Sequence, residues 1–336
     1  MIVNQPATES VAAPEFTALI NLMEERLGAR VLQVSDDFFA AAEMMLKPGR
    51  GVFVADRYTD RGKWMDGWES RRKRVPGHDW CILQMGLRGR VKGVDVDTNF
   101  FLGNHPPFAS IDAACVSGTP QDQDWQPLLT KSPLKPGSQN FFSIDNLKAW
   151  THLRLNIFPD GGVARFKVYG EVLPDWDKVL PEEVLDLAAV HNGGRVLQAN
   201  DMFFGPKDNL IMPGRGLNMG DGWETRRKRE PGHDWVIVQL GKAGMLTKVE
   251  VDTCHFKGNY PDMCSLDGLY LPDADPTKLS AATEWSEIIP RKKLQPNYQH
   301  YFNALDLKPI GETTHVRLNI FPDGGISRLR LMGTLA

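Results

Sequence analysis

The sequence predicts an all-β protein made of two tandem antiparallel β-sandwich domains that arose by internal duplication. Three observations lead to this prediction. Long segments of the first half return in the second half. Apolar or alternating runs of five to eight residues are separated by Gly, Pro, Asn and Asp, and no helical pattern lies between most of them. A chain of 336 residues is also long for a single hydrophobic core, which favours two domains.

The duplication is clearest in a motif rich in charged residues. The segment DGWESRRKRVPGHDW, at 66–80, returns as DGWETRRKREPGHDW at 221–235, with 13 of 15 positions identical. Shorter matches are RVLQVSDDFF with RVLQANDMFF, DVDT with EVDT, and HLRLNIFPDGG with HVRLNIFPDGG. A core keeps apolar size rather than identity, and ionic side chains rarely fill it. The repeated ionic residues therefore indicate either chemistry or a charge network that the fold needs twice.

The predicted elements follow the order of the repeat, and the domains are expected at 15–172 and 181–334. A helix is predicted over 15–27, because Phe16, Leu19, Ile20, Met23 and Leu27 would share one face. A linker at about 173–180 leads to a short helix at 181–190, with acids in its first turn. The expected strands are 80–85, 91–98, 152–158, 163–169, 235–240, 247–253, 315–321 and 326–332. The PDGG segment between the last two strands of each copy predicts a hairpin turn.

Composition excludes several classes of function. A net charge of −3 gives no overall basic field for binding nucleic acid. The four cysteines form no CxxC pair, which is typical of reduced thiols rather than disulfides or zinc ligands. We find neither a signal-peptide pattern nor an apolar run of the roughly 20 residues that a membrane helix needs. We therefore expect a cytoplasmic protein that binds neither nucleic acid nor a membrane.

The arginines of the motif are the strongest candidates for ligand binding. Their planar donor groups suit carboxylates, and the set comprises Arg71, Arg72, Arg226 and Arg227. Three interpretations compete. The RRKR segment could be a localisation or nucleic-acid patch, it could form a structural ion-pair network with Glu69, Asp79 or Asp97, or it could bind a small anion. Tryptophans Trp68 and Trp223 are either walls of such a pocket or core residues.

Three pairs of residues, one member in each copy, are candidates for catalysis: Glu69 and Glu224, His78 and His233, and Asp97 and Asp252. The carboxylates could act as bases. The histidines directly precede a predicted strand and could move a proton near neutral pH. They could equally cap a turn.

Two further groups of polar residues repeat. Asn104 and Asn259 follow a strand in oxygen-rich loops that could hold a hard cation, although the spacing fits no EF-hand or zinc pattern. Period-two alternation places His152, Arg154 and Asn156 on one face of a strand, with His315, Arg317 and Asn319 in the second copy. These could line or brace a site, or simply face solvent.

Taken together, the motifs DGWE-[ST]-RRKR-x-PGHDW, [DE]VDT followed by GN-x-P, and H-[LV]-RLNIFPDGG resemble the allantoicase family over about Phe16 to Gly333. The resemblance implies a pair of jelly-roll domains of the galactose-binding-like kind. It implies hydrolysis of allantoate to ureidoglycolate and urea in purine breakdown. It also implies a homo-oligomer and, for some members, a response to a divalent metal such as manganese.

On this hypothesis Arg72 and Arg227 bind the substrate carboxylate, a motif carboxylate activates water, and His78 or His233 serves the leaving group. Two alternatives remain at this stage. A non-catalytic carbohydrate-binding module would also repeat a polar motif, and a related enzyme could act on ureidoglycolate. The segment from Asp56 to Trp64 has no counterpart in the second copy. The sequence therefore leaves open whether both copies carry a working site or the two form one composite site.

Overall fold

The computed structural model describes residues 2–3, 12–282 and 284–336. The chain divides into two compact units, Met1–Leu173 and Pro174–Ala336. Each unit is a jelly-roll β-sandwich, and the prediction of an all-β fold with an internal duplication is confirmed. Every helical segment in the described ranges is a 3-10 turn of three to five residues.

Short strands and one very long strand build the first unit. In chain order they are β1 Ile2–Val3, β2 Ile20–Asn21, β3 Arg30–Val34, β4 Phe53–Val54, β5 Tyr58–Thr59, β6 Gly62–Lys63, β7 Trp68–Glu69, β8 Asp79–Asp97, β9 Phe108–Ala114, β10 Gln126–Pro133, β11 Phe141–Ser143, β12 Trp150–Phe158, β13 Gly162–Val163 and β14 Arg165–Val172. The 3-10 turns are Glu15–Ala18, Glu25–Leu27, Ala42–Leu46 and Asp122–Asp124.

The second unit repeats this order. Its strands are β15 Leu185–Asp186, β16 Arg195–Ala199, β17 Trp223–Glu224, β18 Asp234–Asp252, β19 Met263–Leu269, β20 Ser286–Lys293, β21 Gln299–Asn303, β22 Thr313–Phe321, β23 Gly325–Ile326 and β24 Arg328–Leu335. Its 3-10 turns are Trp176–Lys178, Val190–Asn192, Lys207–Ile211, Met219–Asp221, Leu279–Ala281 and Ala304–Asp306.

The long strand belongs to both sheets of its sandwich. The first half of β8 pairs with β12 and β3, and its second half pairs with β14 and β11. β12 pairs in turn with β9, and β9 with β10. The register shifts between Gln84 and Gly89, where a side chain on Gly86 or Gly89 would collide with neighbouring backbone. In the second unit β18 pairs in the same way with β22, β16, β24 and β21.

Each sandwich closes over an apolar core. In the first unit, side chains from both halves of β8 meet those of β12 and β14, and Leu83, Val94, Leu153 and Phe166 are fully buried. The predicted strands are therefore present, although each adjacent pair at 80–85 and 91–98, and at 235–240 and 247–253, is one continuous strand. No helix in the described ranges has the length and hydropathy needed to cross a membrane.

Both predicted helices are wrong, because short edge strands use the same residues. Within 15–27, the Asn21 side chain accepts the N–H groups of Met23 and Val168, which holds β2 against β14 in extended form. Within 181–190, Asp186 accepts the N–H of Leu331, and β15 pairs with β24. The apolar residues in these two segments have helical spacing, but they lie in short turns and edge strands that contact a sheet.

The hairpin predicted at PDGG is also wrong. β12 and β14 lie on either side of β8 and do not pair with each other. The connection contains a cis peptide bond at Phe158–Pro159 and then the short strand β13, which pairs with β7. In the second unit Phe321–Pro322 is cis and β23 pairs with β17. PDGG is therefore brought beside the Trp-Glu dipeptide of the charged motif.

A buried ion pair anchors the start of that motif. Asp66 accepts a hydrogen bond from Arg165 at 2.6 Å, and the two side chains are only 6% and 3% exposed. The Asp66 carboxylate also accepts the N–H of Val52, at 2.9 Å. Asp221 and Arg328 form the same pair in the second unit, at 2.9 Å. Part of the repeated ionic pattern is thus required by the fold.

We expect Arg165→Met to lower the free energy of unfolding by about 3–5 kcal/mol, because it leaves the Asp66 carboxylate buried without its cation. Chemical denaturation measures the loss. The double variant Arg165→Met/Asp66→Asn should recover part of it, since the uncompensated charge is then removed. Lys178→Met, which breaks an exposed pair with Asp175, is the control and should cost less than about 1 kcal/mol. An equal effect of Arg165→Met and Lys178→Met would contradict this role.

Candidate functional site

A cleft of about 430 Å³ lies in the second unit where the charged motif, the loop after β18 and the PDGG connection converge. Its polar lining, which we call the Glu224 cleft, includes Glu224, Arg227, Asn259, Tyr260, Asp262 and Asp323. The aligned positions of the first unit, which we call the Glu69 site, are Glu69, Arg72, Asn104, His105, Pro107 and Asp160. The structure therefore joins the predicted glutamate, asparagine and one arginine in the second unit, and the repeat gives the first unit the same three residue types.

A hydrogen bond between a carboxylate and an amide lies at the centre of each site. Asn104 Nδ2 donates to Glu69 Oε1 at 2.6 Å, and Asn259 Nδ2 donates to Glu224 Oε1 at 2.5 Å. The glutamates are fixed because β7 and β17 pair with the short strands β13 and β23, which begin at the last glycine of PDGG. Both glutamate side chains are half-buried. Each site thus holds one partly desolvated carboxylate in a set orientation.

The first glycine of PDGG allows the loop that carries Asn104 or Asn259 to approach the PDGG backbone closely. Gly161 has φ of 140°, and a Cβ there would lie 2.7 Å from the carbonyl oxygen of Asn104. Gly324 has φ of 139°, and its Cβ would lie 2.8 Å from the carbonyl oxygen of Asn259. The next N–H, of Gly162 or Gly325, donates to that same carbonyl at 2.8 Å. Any larger residue would push the asparagine away from its glutamate.

Arg72 and Arg227 are exposed and make no hydrogen bond or ion pair with any described residue. The residue after each is tightly held. The Lys73 N–H donates to the Asp160 carboxylate at 2.8 Å, and Lys73 Nζ pairs with Asp79 at 2.7 Å. Lys228 makes the same two contacts, with Asp323 and Asp234. The loop is therefore anchored while its arginine is left available for an anion.

Burial raises the pKa of the Glu69 carboxyl above its ordinary value, and the hydrogen bond from Asn104 acts in the opposite direction. A carboxylate of raised pKa is a stronger proton acceptor than an exposed one. Glu69 is therefore a better proton acceptor than an exposed glutamate would be.

The structure removes Asp97 and Asp252 from the candidate bases. Both side chains are 0% exposed. Asp97 accepts two hydrogen bonds from Arg50, at 2.8 and 2.9 Å, and Asp252 pairs with Arg215 at 3.1 Å. These carboxylates end their strands pointing into the protein, so their charge is used to hold an arginine.

Arg71 and Arg226 are also used structurally, which corrects their assignment as substrate ligands. They pair with Asp36 and Asp201, at 2.6 and 2.7 Å. Each guanidinium also lies 5.1 Å from the centre of a phenylalanine ring, Phe38 or Phe203. The first arginine of each motif is therefore in an ion pair, although its partner is Asp36 or Asp201 and not one of the acids that the sequence suggested. The second arginine remains available.

Trp68 and Trp223 are core residues rather than walls of a pocket. Both are 0% exposed. Each indole N–H donates at 2.8 Å to the backbone carbonyl of the aspartate that pairs with the neighbouring arginine, Asp36 or Asp201. The sequence alone could not distinguish a tryptophan of the core from one that lines a pocket.

The candidates on β12 and β22 form a separate polar cluster. Arg154 and Asn156 both donate to Asp112 Oδ2, and Arg154 lies 5.0 Å from the centre of the Trp125 ring. In the second unit Arg317 and Asn319 donate in the same way to Asp267. His152, by contrast, is buried, and burial lowers the pKa of its imidazole. None of these β22 residues lines the Glu224 cleft.

His78 and His233 lie beside this separate cluster. His233 Nε2 is 3.3 Å from Asn319 Oδ1, and the centres of the His233 and Phe321 rings are 4.7 Å apart. The centres of the His78 and Phe158 rings are 4.6 Å apart. His233 is not among the residues that line the Glu224 cleft. Both histidines therefore pack on the phenylalanine that ends β12 or β22, and His233 lies outside the cleft that holds Glu224.

Sequence reasoning missed the aspartate of PDGG. Asp160 and Asp323 hold the arginine loops, and Asp323 lines the cleft. The aspartate of PDGG occurs in both copies, and this repetition could have identified it, but the PDGG pattern itself predicts only a turn. In the described residues, no group of three or more His, Cys, Asp or Glu side chains could hold a metal ion.

The family model described as the allantoicase repeat matches residues 20–173 and again 185–336. A Burkholderia mallei protein described as probable allantoicase 1 is 50% identical over 327 residues, covering 96% of this chain and 97% of that protein. A probable allantoicase of Pseudomonas aeruginosa is 49% identical, covering 95% of this chain and 97% of its own. The crystal structure of allantoicase from Saccharomyces cerevisiae matches with a TM-score of 0.81 and 35% identity, covering 95% and 96% of the two chains.

We expect Gly324→Ala to destabilise the second unit by about 1–3 kcal/mol, because the alanine would be strained at this φ and would press on the Asn259 loop. Urea denaturation measures the change, and hydrogen exchange at 258–262 should quicken. Gly258→Ala is a matched control in the same loop, since its Cβ meets nothing within 4 Å. Its effect should stay within about 0.5 kcal/mol. Equal stabilities of the two variants would refute the role of the close approach.

Proposed function

Because the chain belongs to the allantoicase family, we propose that it hydrolyses allantoate to ureidoglycolate and urea in purine breakdown. The family model covers both repeats, and relatives about half identical over nearly the whole chain carry that enzyme's name. The structural observation that supports this function is a half-buried carboxylate–amide pair followed in the chain by an arginine without a partner, in both units; in the second unit all three side chains line one cleft.

The free groups of each site match the groups of the substrate. Allantoate carries one carboxylate and two ureido arms. Arg72 and Arg227 offer planar donors that can grip a carboxylate through two parallel hydrogen bonds. The asparagines use Nδ2 to bind the glutamate, so their Oδ1 atoms remain to accept a ureido N–H. The site therefore recognises an acidic compound with amide-like arms.

The reaction needs one carbon–nitrogen bond to break and one carbon–oxygen bond to form at the central carbon. Glu69 or Glu224 takes a proton from the attacking water, whose oxygen bonds to that carbon. One ureido nitrogen leaves with the electron pair of the broken bond and receives a proton, which completes urea. Positioning of the carboxylate and substrate, together with proton transfer, supplies the rate acceleration.

Manganese is not part of this proposal. The family resemblance implies a metal response in some members, but the described residues contain no suitable group of ligands. We therefore derive no step through a metal. We further propose that the protein acts in the cytoplasm as a homo-oligomer; its four cysteines are free, in keeping with a reducing compartment.

The alternatives give different products. A carbohydrate-binding module would release no urea from allantoate, and it is not favoured, because the relatives are named as enzymes. An enzyme specific for ureidoglycolate would release urea from that compound and not from allantoate. Assaying both compounds with the wild-type protein distinguishes the three possibilities, and the absence of urea release from allantoate would contradict the proposed function.

The double variant Arg72→Ala/Arg227→Ala should lower kcat/KM for allantoate about 10- to 150-fold, the effect of losing a charged hydrogen bond worth about 1.5–3 kcal/mol. The matched control is Arg74→Ala/Arg229→Ala, which removes the same charge from exposed positions of the same two loops. Its kcat/KM should change by less than about twofold. Equal losses in the two double variants would remove Arg72 and Arg227 from the site and assign any effect to net charge.

A further inference from the structure

The two sites share their backbone but not all of their side chains. A Cβ on Gly161 would meet the backbone of Asn104, His105 and Pro106, at 2.7 to 2.9 Å. A Cβ on Gly324 would meet the backbone of Asn259, Tyr260 and Pro261, at 2.7 to 2.8 Å. These contacts agree atom for atom, so His105 occupies in the first unit the place that Tyr260 occupies in the second.

Position 260 faces the substrate space, because Tyr260 lines the Glu224 cleft. With the same loop backbone, the Cβ of His105 leaves the chain in the same direction. The Nδ1 atom of His105 is buried and has no hydrogen-bond partner. Most buried polar atoms have a partner, and leaving one without costs free energy. The shielded Nδ1 atom does not reach a ligand, whereas the other ring nitrogen, Nε2, is not shielded and has no hydrogen-bond partner among the described residues. Nε2 is therefore the atom of His105 that can bond to a substrate.

A second difference separates the sites. In the Glu224 cleft, Asp262 forms an ion pair with Lys293. The corresponding position of the first unit is Pro107, which cannot form such a pair. The Glu69 site therefore contains a glutamate, an arginine, an aspartate and an imidazole, whereas the Glu224 cleft has a phenol and an additional ion pair in its wall. Only the first arrangement has an imidazole, the side chain that enzymes use most often for general acid–base catalysis.

We propose that the two sites are chemically unequal, and that the His105 imidazole gives the proton to the departing ureido nitrogen in the Glu69 site. The Glu224 cleft binds the same substrate and turns it over slowly, because Tyr260 stands where the proton donor is needed. This inference rests on the proposed function.

The proton balance closes within the Glu69 site. Imidazolium at His105 donates its proton as the carbon–nitrogen bond breaks, and the Glu69 carboxylate accepts a proton as the water oxygen bonds to the carbon. Glu69 and His105 then return to their starting states by passing one proton through solvent. The burial-raised pKa of Glu69 supports its part in this cycle.

The first test exchanges the two residues. His105→Tyr places in the first loop the residue that the second loop already carries on the same backbone, so the fold should be kept. We expect kcat for urea release to fall by about 100-fold or more, the usual share of a proton donor, with KM little changed. His191→Ala, at an exposed histidine outside both sites, is the matched control and should keep the wild-type kcat.

The second test restores the missing group. His105→Ala leaves space for free imidazole, which should raise its kcat by about tenfold or more and leave wild type and His191→Ala unaffected. A merely structural histidine would not respond in this way. A His105→Tyr enzyme with kcat within about twofold of wild type, or a His105→Ala enzyme that imidazole does not restore, would overturn the inference.

The third test compares the two units. Glu69→Gln should abolish most of the turnover, whereas Glu224→Gln should leave most of it. The opposite order would overturn the inequality of the sites. Urea release by the wild-type protein distinguishes failure of the proposed function from failure of the inference about His105. If wild type releases no urea from allantoate, the proposed function fails; if it does and His105→Tyr is fully active, only this inference fails.

Discussion

The candidate sites depend on a close approach between two stretches of backbone. Gly161 and Gly324, at positive φ, let the PDGG connection touch the asparagine loop, and the following N–H bonds to the asparagine carbonyl. This contact places the asparagine amide on the glutamate of the neighbouring short strand. The glutamate is in turn fixed because the connection after β12 or β22 pairs with that strand instead of closing a hairpin. Fold and site are therefore built by the same crossing.

The ionic residues of the repeat divide into two groups. One group is neutralised within the protein, as in Asp66 with Arg165 and Asp97 with Arg50. The other group is left with free hydrogen-bonding capacity, and Arg72 and its counterpart Arg227 are its clearest members. Both groups repeat equally in sequence. The two interpretations of the motif, a charge network and an anion site, thus apply to different side chains of one segment.

Sequence patterns predicted the β-fold and identified the glutamates, asparagines and arginines as candidate site residues, because polar identities repeated between the copies. They could not separate Asp97 or Trp68 from the site, since repetition does not reveal which side chain a neighbour has already buried. The helix at 15–27 failed because Asn21 bonds to strand β14, a contact distant in sequence. His105 was not among the candidates, because a search for repeated residues sets aside a position at which the copies differ, and Tyr260 stands opposite it.

A crystal structure of the Glu69→Gln/Glu224→Gln protein soaked with allantoate tests the central claim most directly. The account predicts allantoate beside Asn104 and Asn259, its carboxylate about 2.7–2.9 Å from the guanidinium nitrogens of Arg72 and Arg227. Allantoate bound instead against Trp125 and Arg154, with no ligand at Arg72 or Arg227, would contradict the claim that the crossing of PDGG and the charged motif forms the substrate site.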